Sequence, residues 1–169
     1  MTVISNTTVI TNFAAVGQFE LLRQIFNVVY VPLGVYQEVL DGLDEGYAFN
    51  SVIVNALFPR SPDGWLRLVS PEGSLELADI STLPRRIHRG EAECLVIARH
   101  RKWTFLTDDR RARVFARDRG IALSGTIGCL VLGVEQGYCS LEEGNAMLSR
   151  MLEQGYRSKI KDLSELVNT

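Results

Sequence analysis

The chain has 169 residues, about the length of one folded domain, and we expect residues 1–169 to form a single domain. Hydrophobic residues make up 46% of it and charged residues 22%, a balance that excludes an intrinsically disordered protein. The net charge of −2 does not by itself indicate a partner, and the apolar stretches are too short to span a bilayer, so we expect a cytoplasmic protein without a membrane partner.

The first forty residues predict strands that alternate with helices. β-branched residues at 2–5 indicate a strand, and Asn6 follows as a suitable N-cap for an amphipathic helix. Glu38 lies at the flank of an apolar helical stripe. The other elements predicted in this part are a helix at 19–26, a strand at 28–31 closed by Pro32, and a helix at 34–41.

The middle of the chain is interrupted by glycine and proline. We therefore expect an insertion or lid at 41–71, with an apolar helical patch near 49–58 and a possible strand at 65–69. Residues 75–89 predict a polar connection that carries a basic cluster, Arg85, Arg86, His88 and Arg89.

A helix predicted at 90–102 begins with an acidic residue on its apolar side. At 100° per residue, Glu91 shares a face with Cys94, Leu95 and Ala98, whereas Glu93 and His100 lie on the reverse face. An ionised carboxylate is costly to bury alone, so Glu91 predicts a cation or hydrogen-bond donors nearby. The alternative is a first-turn glutamate that the helix dipole favours.

A strand at 103–107 runs into two carboxylates, Asp108 and Asp109, and then into a basic helix at 109–118. Acids at the carboxyl end of a strand in an open α/β sheet point toward a ligand site. The alternative is that Asp109 only caps the helix. The helix divides its side chains between two faces, with Ala112, Phe115 and Ala116 on one and Arg110, Arg113 and Arg117 on the other.

The remaining elements complete an alternation of strands and helices. This order predicts an α/β fold, a three-layer α/β/α sandwich around a mostly parallel sheet. The three cysteines lack the spacing of a disulfide framework or zinc site, so we expect small core residues. The last elements are a strand at 121–124, a helix at 126–135, a helix begun by the capping box of Ser140 and Glu143, and a C-terminal helix near 158–167.

The polar residues at strand ends and helix starts suit a hard cation, because Mg²⁺ takes oxygen ligands and retains several waters. They are Asn6, Glu38, Glu91, Asp108 and Asp109. Residues 85–119 contain eleven Lys or Arg and five Asp or Glu, an excess of six positive charges. This predicts a phosphodiester substrate, and the alternative is an ordinary solvated surface.

Over nearly its whole length apart from 41–71, the chain resembles the PIN (PilT N-terminal) domain family. The matching segments are VISNTTVITNFA, VPLGVYQEVL, GEAECLVIA, LTDDRRARVFA and GIALSGTIGCLVLGVEQG. The resemblance implies a ribonuclease that depends on Mg²⁺ or Mn²⁺, and it extends to the subgroup that supplies toxins of bacterial toxin-antitoxin pairs. It also implies RNA as the substrate, with an antitoxin protein and a second copy of the chain as partners.

The resemblance assigns roles to individual residues. Glu38, Glu91 and Asp109 match the second, third and fourth acids of the family, and Asn6 stands where the family has its first aspartate. Asp108 occupies a variable position, and Thr107 matches a small hydroxyl residue. We therefore expect catalysis by Glu38, Glu91, Asp109 and Asn6, metal binding by Glu38, Glu91, Asp109 and Asp108, and substrate binding by Thr107, Arg110 and Arg113.

Two other functions compete with a metal-dependent ribonuclease. Asn6 lacks the charge of an aspartate, so the chain is alternatively a catalytically weakened PIN fold that binds RNA or protein. A phospho-acceptor or nucleotide-binding domain is less consistent with the sequence, because no glycine-rich phosphate motif follows a strand.

Overall fold

A computed structural model describes residues 1–167 as an α/β fold with a parallel sheet between layers of helices. The predicted three-layer sandwich is confirmed, and every strand pair in the described residues is parallel. The strand order is β3-β4-β2-β1-β5-β6. The strands are β1 (Val3–Ser5), β2 (Val29–Pro32), β3 (Leu57–Phe58), β4 (Leu66–Val69), β5 (Thr104–Leu106) and β6 (Leu123–Ser124).

The helices cover both faces of this sheet and bury its apolar residues. A 3₁₀ turn at Leu163–Glu165 follows the last of them. The helices are α1 (Thr7–Ala15), α2 (Phe19–Phe26), α3 (Leu33–Asp44), α4 (Asn50–Asn55), α5 (Gly73–Thr82), α6 (Arg89–Arg101), α7 (Arg110–Asp118), α8 (Thr126–Glu135) and α9 (Leu141–Glu153).

Strand β1 lies at the centre of the sheet, between β2 and β5. Its last residue, Ser5, is in register with Leu106 at the end of β5. After β1 the chain forms β2, β3 and β4 on one side of it, and then returns to form β5 and β6 on the other side. The strand order therefore reverses between β1 and β5, and α/β folds bind ligands at such a topological switch point. The residues that follow β1 and β5 therefore share one edge of the sheet.

Helices α3 and α6 touch backbone to backbone at their first turns. A Cβ atom added to Gly34 would lie 2.6 Å from the Gly90 nitrogen, and one added to Gly90 would lie 2.8 Å from the Val35 nitrogen. No side chain larger than hydrogen fits between these backbones. Because Glu38 and Glu91 lie within a turn or so of this contact, it brings the two acidic helix segments together.

The burial of α6 corrects the prediction for its two glutamates. Residues 92–98 are all buried, because α6 packs against the sheet and against neighbouring helices, including α3, α5 and α7. Glu93, predicted on the reverse face, is only 4% exposed, whereas Glu91 is half-buried. The Glu93 carboxylate accepts hydrogen bonds from the Gly34 N–H (2.9 Å) and from Arg89 Nε (2.8 Å).

Two further element predictions are wrong. The polar connection predicted at 75–89 contains most of α5, whose one buried residue is Glu76. Arg101, the last residue of α6, donates to both carboxylate oxygens of Glu76 at 2.8 Å. This ion pair, and not an apolar stripe, attaches α5 to α6. The C-terminal helix predicted near 158–167 is only the 3₁₀ turn at Leu163–Glu165, which Asp162 caps.

Residues 41–71, expected to be an insertion or lid, contain the end of α3, then α4, β3 and β4. These two strands form one side of the sheet, and buried side chains of the segment join the hydrophobic core. The capping box of Ser140 and Glu143 is confirmed at the start of α9. We also predict that C-terminal helices occupy 140–169, and residues 168 and 169 of this range lie outside the residues that the structure describes.

The described part of the chain has no helix both long and apolar enough to cross a membrane. All three cysteines are free. Cys94 and Cys129 are buried and Cys139 is half-buried, as expected for residues that fill space in or beside the core.

We expect Gly90→Ala to lower the free energy of unfolding by about 1–3 kcal/mol, because the new methyl group would force α3 and α6 apart. Urea denaturation measures this loss. The control is Gly133→Ala in α8, where the nearest atoms, 3.3–3.5 Å away, belong to side chains. Equal stability of the Gly90→Ala variant and the wild type would contradict a tight backbone contact.

Candidate active site

The edge of the sheet where β1 and β5 end collects the predicted site residues. Asn6 follows β1, and Thr107, Asp108 and Asp109 follow β5. Glu91 comes from the first turn of α6. Glu38 lies on α3, one turn beyond Gly34.

Glu91 and Asp109 form a pair of carboxyl groups. Burial raises the pKa of Glu91 to about 7, and the negative charge of Asp109 together with a hydrogen bond between the two carboxyl groups adds to the rise. Asp109 also accepts a hydrogen bond from the Ala112 N–H at 2.8 Å, so it caps α7 as well as facing Glu91.

Glu38 contributes negative charge to this pair from the side of α3. Its charge raises the pKa of Glu91, though less than burial and Asp109 do. The Glu38 side chain is exposed and accepts a hydrogen bond from the Thr7 hydroxyl. Glu38 is therefore part of the same electrostatic site and remains open to solvent.

Asn6 and Thr107 connect the ends of β1 and β5. Asn6 Nδ2 donates to the Thr107 hydroxyl oxygen at 2.7 Å, and the same oxygen accepts from the Asp109 N–H at 3.1 Å. Asn6 Oδ1 accepts from the Thr8 N–H (3.3 Å) and hydroxyl (2.8 Å), which makes Asn6 the N-cap of α1. Both ends of the Asn6 amide are thus used within the protein.

Asp108 belongs to a separate network that holds the helices around the site. Its carboxylate accepts hydrogen bonds from Asn12 Nδ2 (3.2 Å), the Thr126 N–H (2.9 Å) and hydroxyl (2.6 Å), and the Tyr156 hydroxyl (3.4 Å). These donors occupy both carboxylate oxygens. Burial raises the pKa of Tyr156, which keeps it a donor toward Asp108.

The two arginines predicted to bind substrate have different surroundings. Arg113 Nη1 donates to the Thr107 carbonyl at 2.8 Å and to the Ser124 carbonyl at 3.0 Å, so it joins the ends of β5 and β6. Arg110 is exposed. It lines a cleft beside Glu91, and Arg111 lines the same cleft.

This α6–α7 cleft has a volume of about 570 Å³ and contains Glu91 in its wall. Its apolar lining is Ile87, Leu95, Ala112, Val114 and Phe115, and its cations are Arg86, Arg110 and Arg111. None of the three arginines forms an ion pair with a residue in the described range 1–167.

The carboxyl pair fits a divalent cation that is completed by substrate. Within residues 1–167, no group of three or more Asp, Glu, His or Cys side chains is arranged to hold a metal ion. Mg²⁺ is commonly bound through one or two carboxylates, several waters and substrate phosphate, and Glu91 and Asp109 could supply the two carboxylates. The four-carboxylate ligand set therefore stays a prediction.

Several residues that shape the site are not evident from the sequence pattern. Glu93 and the Gly34–Gly90 contact fix α3 against α6, and their partners lie more than fifty positions apart along the chain. Arg111 follows Arg110 directly, but at 100° per residue it lies between the apolar face and the arginine face of the predicted helix. The Thr126 partner of Asp108 has a local signal, since it opens a helix directly after Gly125.

A comparison with protein families finds one matching model, described as a PIN domain, over residues 2–169 of the chain. A search of curated proteins finds no significant match. The match includes residues 41–71, which the sequence resemblance leaves out.

The raised pKa of Glu91 predicts that the metal-free protein loses stability as the pH rises from about 4.5 to about 7. In this range the folded protein retains a proton on the pair that the unfolded chain has released, so deprotonation favours unfolding. We expect Glu91→Gln to flatten this dependence, measured by urea denaturation in EDTA. Glu142→Gln, an exposed position on α9, should keep it.

Proposed function

Because the chain belongs to the PIN domain family, we propose that it is a metal-dependent endoribonuclease that hydrolyses RNA phosphodiester bonds. Membership of this family indicates nuclease activity, and the proposal adds the cation, the RNA substrate and the residues. The observation that supports it most is that Glu91 and Asp109 interact at one edge of the sheet, with Glu91 in the wall of a cleft whose three arginines form no ion pair within residues 1–167.

In this proposal Glu91 and Asp109 hold Mg²⁺ or Mn²⁺, and Glu38 adds a third carboxylate from α3. The bound cation would activate and orient water and neutralise charge that develops on phosphorus. Arg110, which lines the cleft and forms no ion pair within residues 1–167, contacts a substrate phosphate. We also assign Glu38, which is exposed and accepts a hydrogen bond from Thr7, the role of orienting the attacking water.

The other predicted residues act by positioning these groups. Thr107 fixes the backbone of Asp109, and Asn6 fixes Thr107. Asp108 holds α1 and α8 at the site through Asn12 and Thr126, and we assign it no direct ligand bond because its oxygens already accept several hydrogen bonds. Arg113 braces β5 against β6.

We expect Asp109→Asn to abolish cleavage of single-stranded RNA in Mg²⁺ or Mn²⁺, because it removes a charge from the pair while an amide oxygen can still cap α7. Denaturing gel electrophoresis of an end-labelled RNA measures this. Asp118→Asn, at the exposed end of the same helix, is the control and should cleave normally. Cleavage by the wild type that persists in EDTA would refute the mechanism.

A catalytically weakened PIN fold that binds RNA or protein is the second candidate. It is favoured by the Asn6 amide, whose nitrogen donates to Thr107 and whose oxygen accepts from Thr8, and by the lack of a three-acid group in residues 1–167. Calorimetric titration with Mn²⁺ separates the candidates. Saturable binding that Asp109→Asn removes supports the nuclease, and no saturable heat supports the binding module.

We expect Asn6→Asp to raise metal-dependent cleavage, because it adds a negative charge at the end of β1 next to Thr107. The Thr107 hydroxyl can then donate to the new carboxylate, so the link between β1 and β5 is kept. Initial cleavage rates across a Mn²⁺ series measure the gain. A rate equal to or below that of the wild type at every Mn²⁺ concentration contradicts a shortage of charge in the site.

We further propose a toxin role in a toxin-antitoxin pair, a cytoplasmic location, a homodimer and a single domain over residues 1–169. A toxic ribonuclease should arrest growth when its expression is induced, and Asp109→Asn should relieve the arrest. Light scattering measures the oligomeric state, and limited proteolysis tests the domain boundary. Co-purification of the protein encoded beside it tests for an antitoxin.

A further inference from the structure

The α6–α7 cleft has two chemically different parts that phosphate binding alone does not explain. Arg86, Arg110 and Arg111 suit phosphate oxygens, but apolar side chains such as Leu95 and Phe115 also line the cleft. A phosphate gains nothing from an apolar lining. A flat ring with an apolar face, linked to a phosphate, satisfies both parts.

We propose that this cleft is a nucleobase site, which takes one unstacked base next to the phosphate that would be cleaved beside Glu91 and Asp109. The inference rests on the proposed function for its ligand, RNA. A volume of about 570 Å³ lies in the range typical of small-ligand sites, about 300–1,000 Å³. A base paired in a helix cannot enter a cleft, so the site selects single-stranded or locally opened RNA.

The charges around the carboxyl pair set the direction in which the RNA lies. The groove on the other side of Glu38 is lined by Asp41 and Glu45 and by no lysine or arginine. Phosphates are repelled there and attracted by the arginines of the α6–α7 cleft. The strand therefore extends from the carboxyl pair across α7 and away from α3.

Val114 gives the sharpest test of the base site. It lines the cleft and is 48% exposed, so a polar substitution there does not disturb the core. We compare a single-stranded oligouridine with an abasic ribose-phosphate strand of the same length, by fluorescence anisotropy in EDTA with the full chain. Because both probes carry the same phosphates, the ratio of their affinities isolates the contribution of the bases.

We expect the wild type to bind oligouridine about tenfold more tightly than the abasic strand, and Val114→Glu to bring this ratio close to one. Val52→Glu on α4, where Val52 is 46% exposed, is the matched control and should retain the ratio. Arg110→Gln should weaken the binding of both probes equally. Annealing the oligouridine to its complement should also remove the preference.

Equal binding of the two probes by the wild type overturns the inference, as does a ratio that Val114→Glu leaves unchanged. If the cleft instead receives a side chain of a partner protein, the wild type should bind the two probes equally. Failure of the proposed function is distinguishable, because a protein that retains the base preference in EDTA but cleaves no RNA in Mn²⁺ contradicts only the nuclease. Cleavage without a base preference contradicts only the base site.

Discussion

The approach of α3 to α6 is the constraint on which the site depends. Two glycines allow the helix starts to meet, and Glu93 adds a buried carboxylate that accepts from the first turn of α3. This contact lies on the same side of the sheet as the catalytic candidates from both helices. Like charges repel, so the acids approach each other only because the helices that carry them are held together by packing and hydrogen bonds formed elsewhere.

The pattern of charge around the site is as informative as the acids themselves. Three arginines and the single acid Glu91 border the α6–α7 cleft, while Glu38, Asp41 and Glu45 border the groove along α3. An anionic polymer near the surface experiences a field that favours one path over the other. The protein is acidic overall, so this local separation of charge, and not the net charge, determines where a nucleic acid can lie.

The sequence predicts features that depend on residues close together in the chain, such as helix caps. It does not predict features that depend on contacts between residues far apart in the chain. Asn6 as an N-cap and Ser140 with Glu143 as a capping box act within a few residues, and both are found where expected. Helix α5 depends on Arg101, which lies 25 positions from Glu76, and no periodicity reveals such an ion pair. The acids at the edge of the sheet lie between these cases, since strand ends predict that edge but not which oxygen faces which neighbour.

The Asp108 network has a consequence for the order in which the site can be assembled during synthesis. Its donors extend from residue 12 to residue 156, so they are separated by 144 positions along the chain. A nascent chain still attached to the ribosome lacks the last of these contacts until Tyr156 has emerged from the exit tunnel. The brace around Asp108 is therefore completed only after Tyr156 has been synthesised, and any activity that depends on the finished brace is withheld from nascent chains that stop short of it.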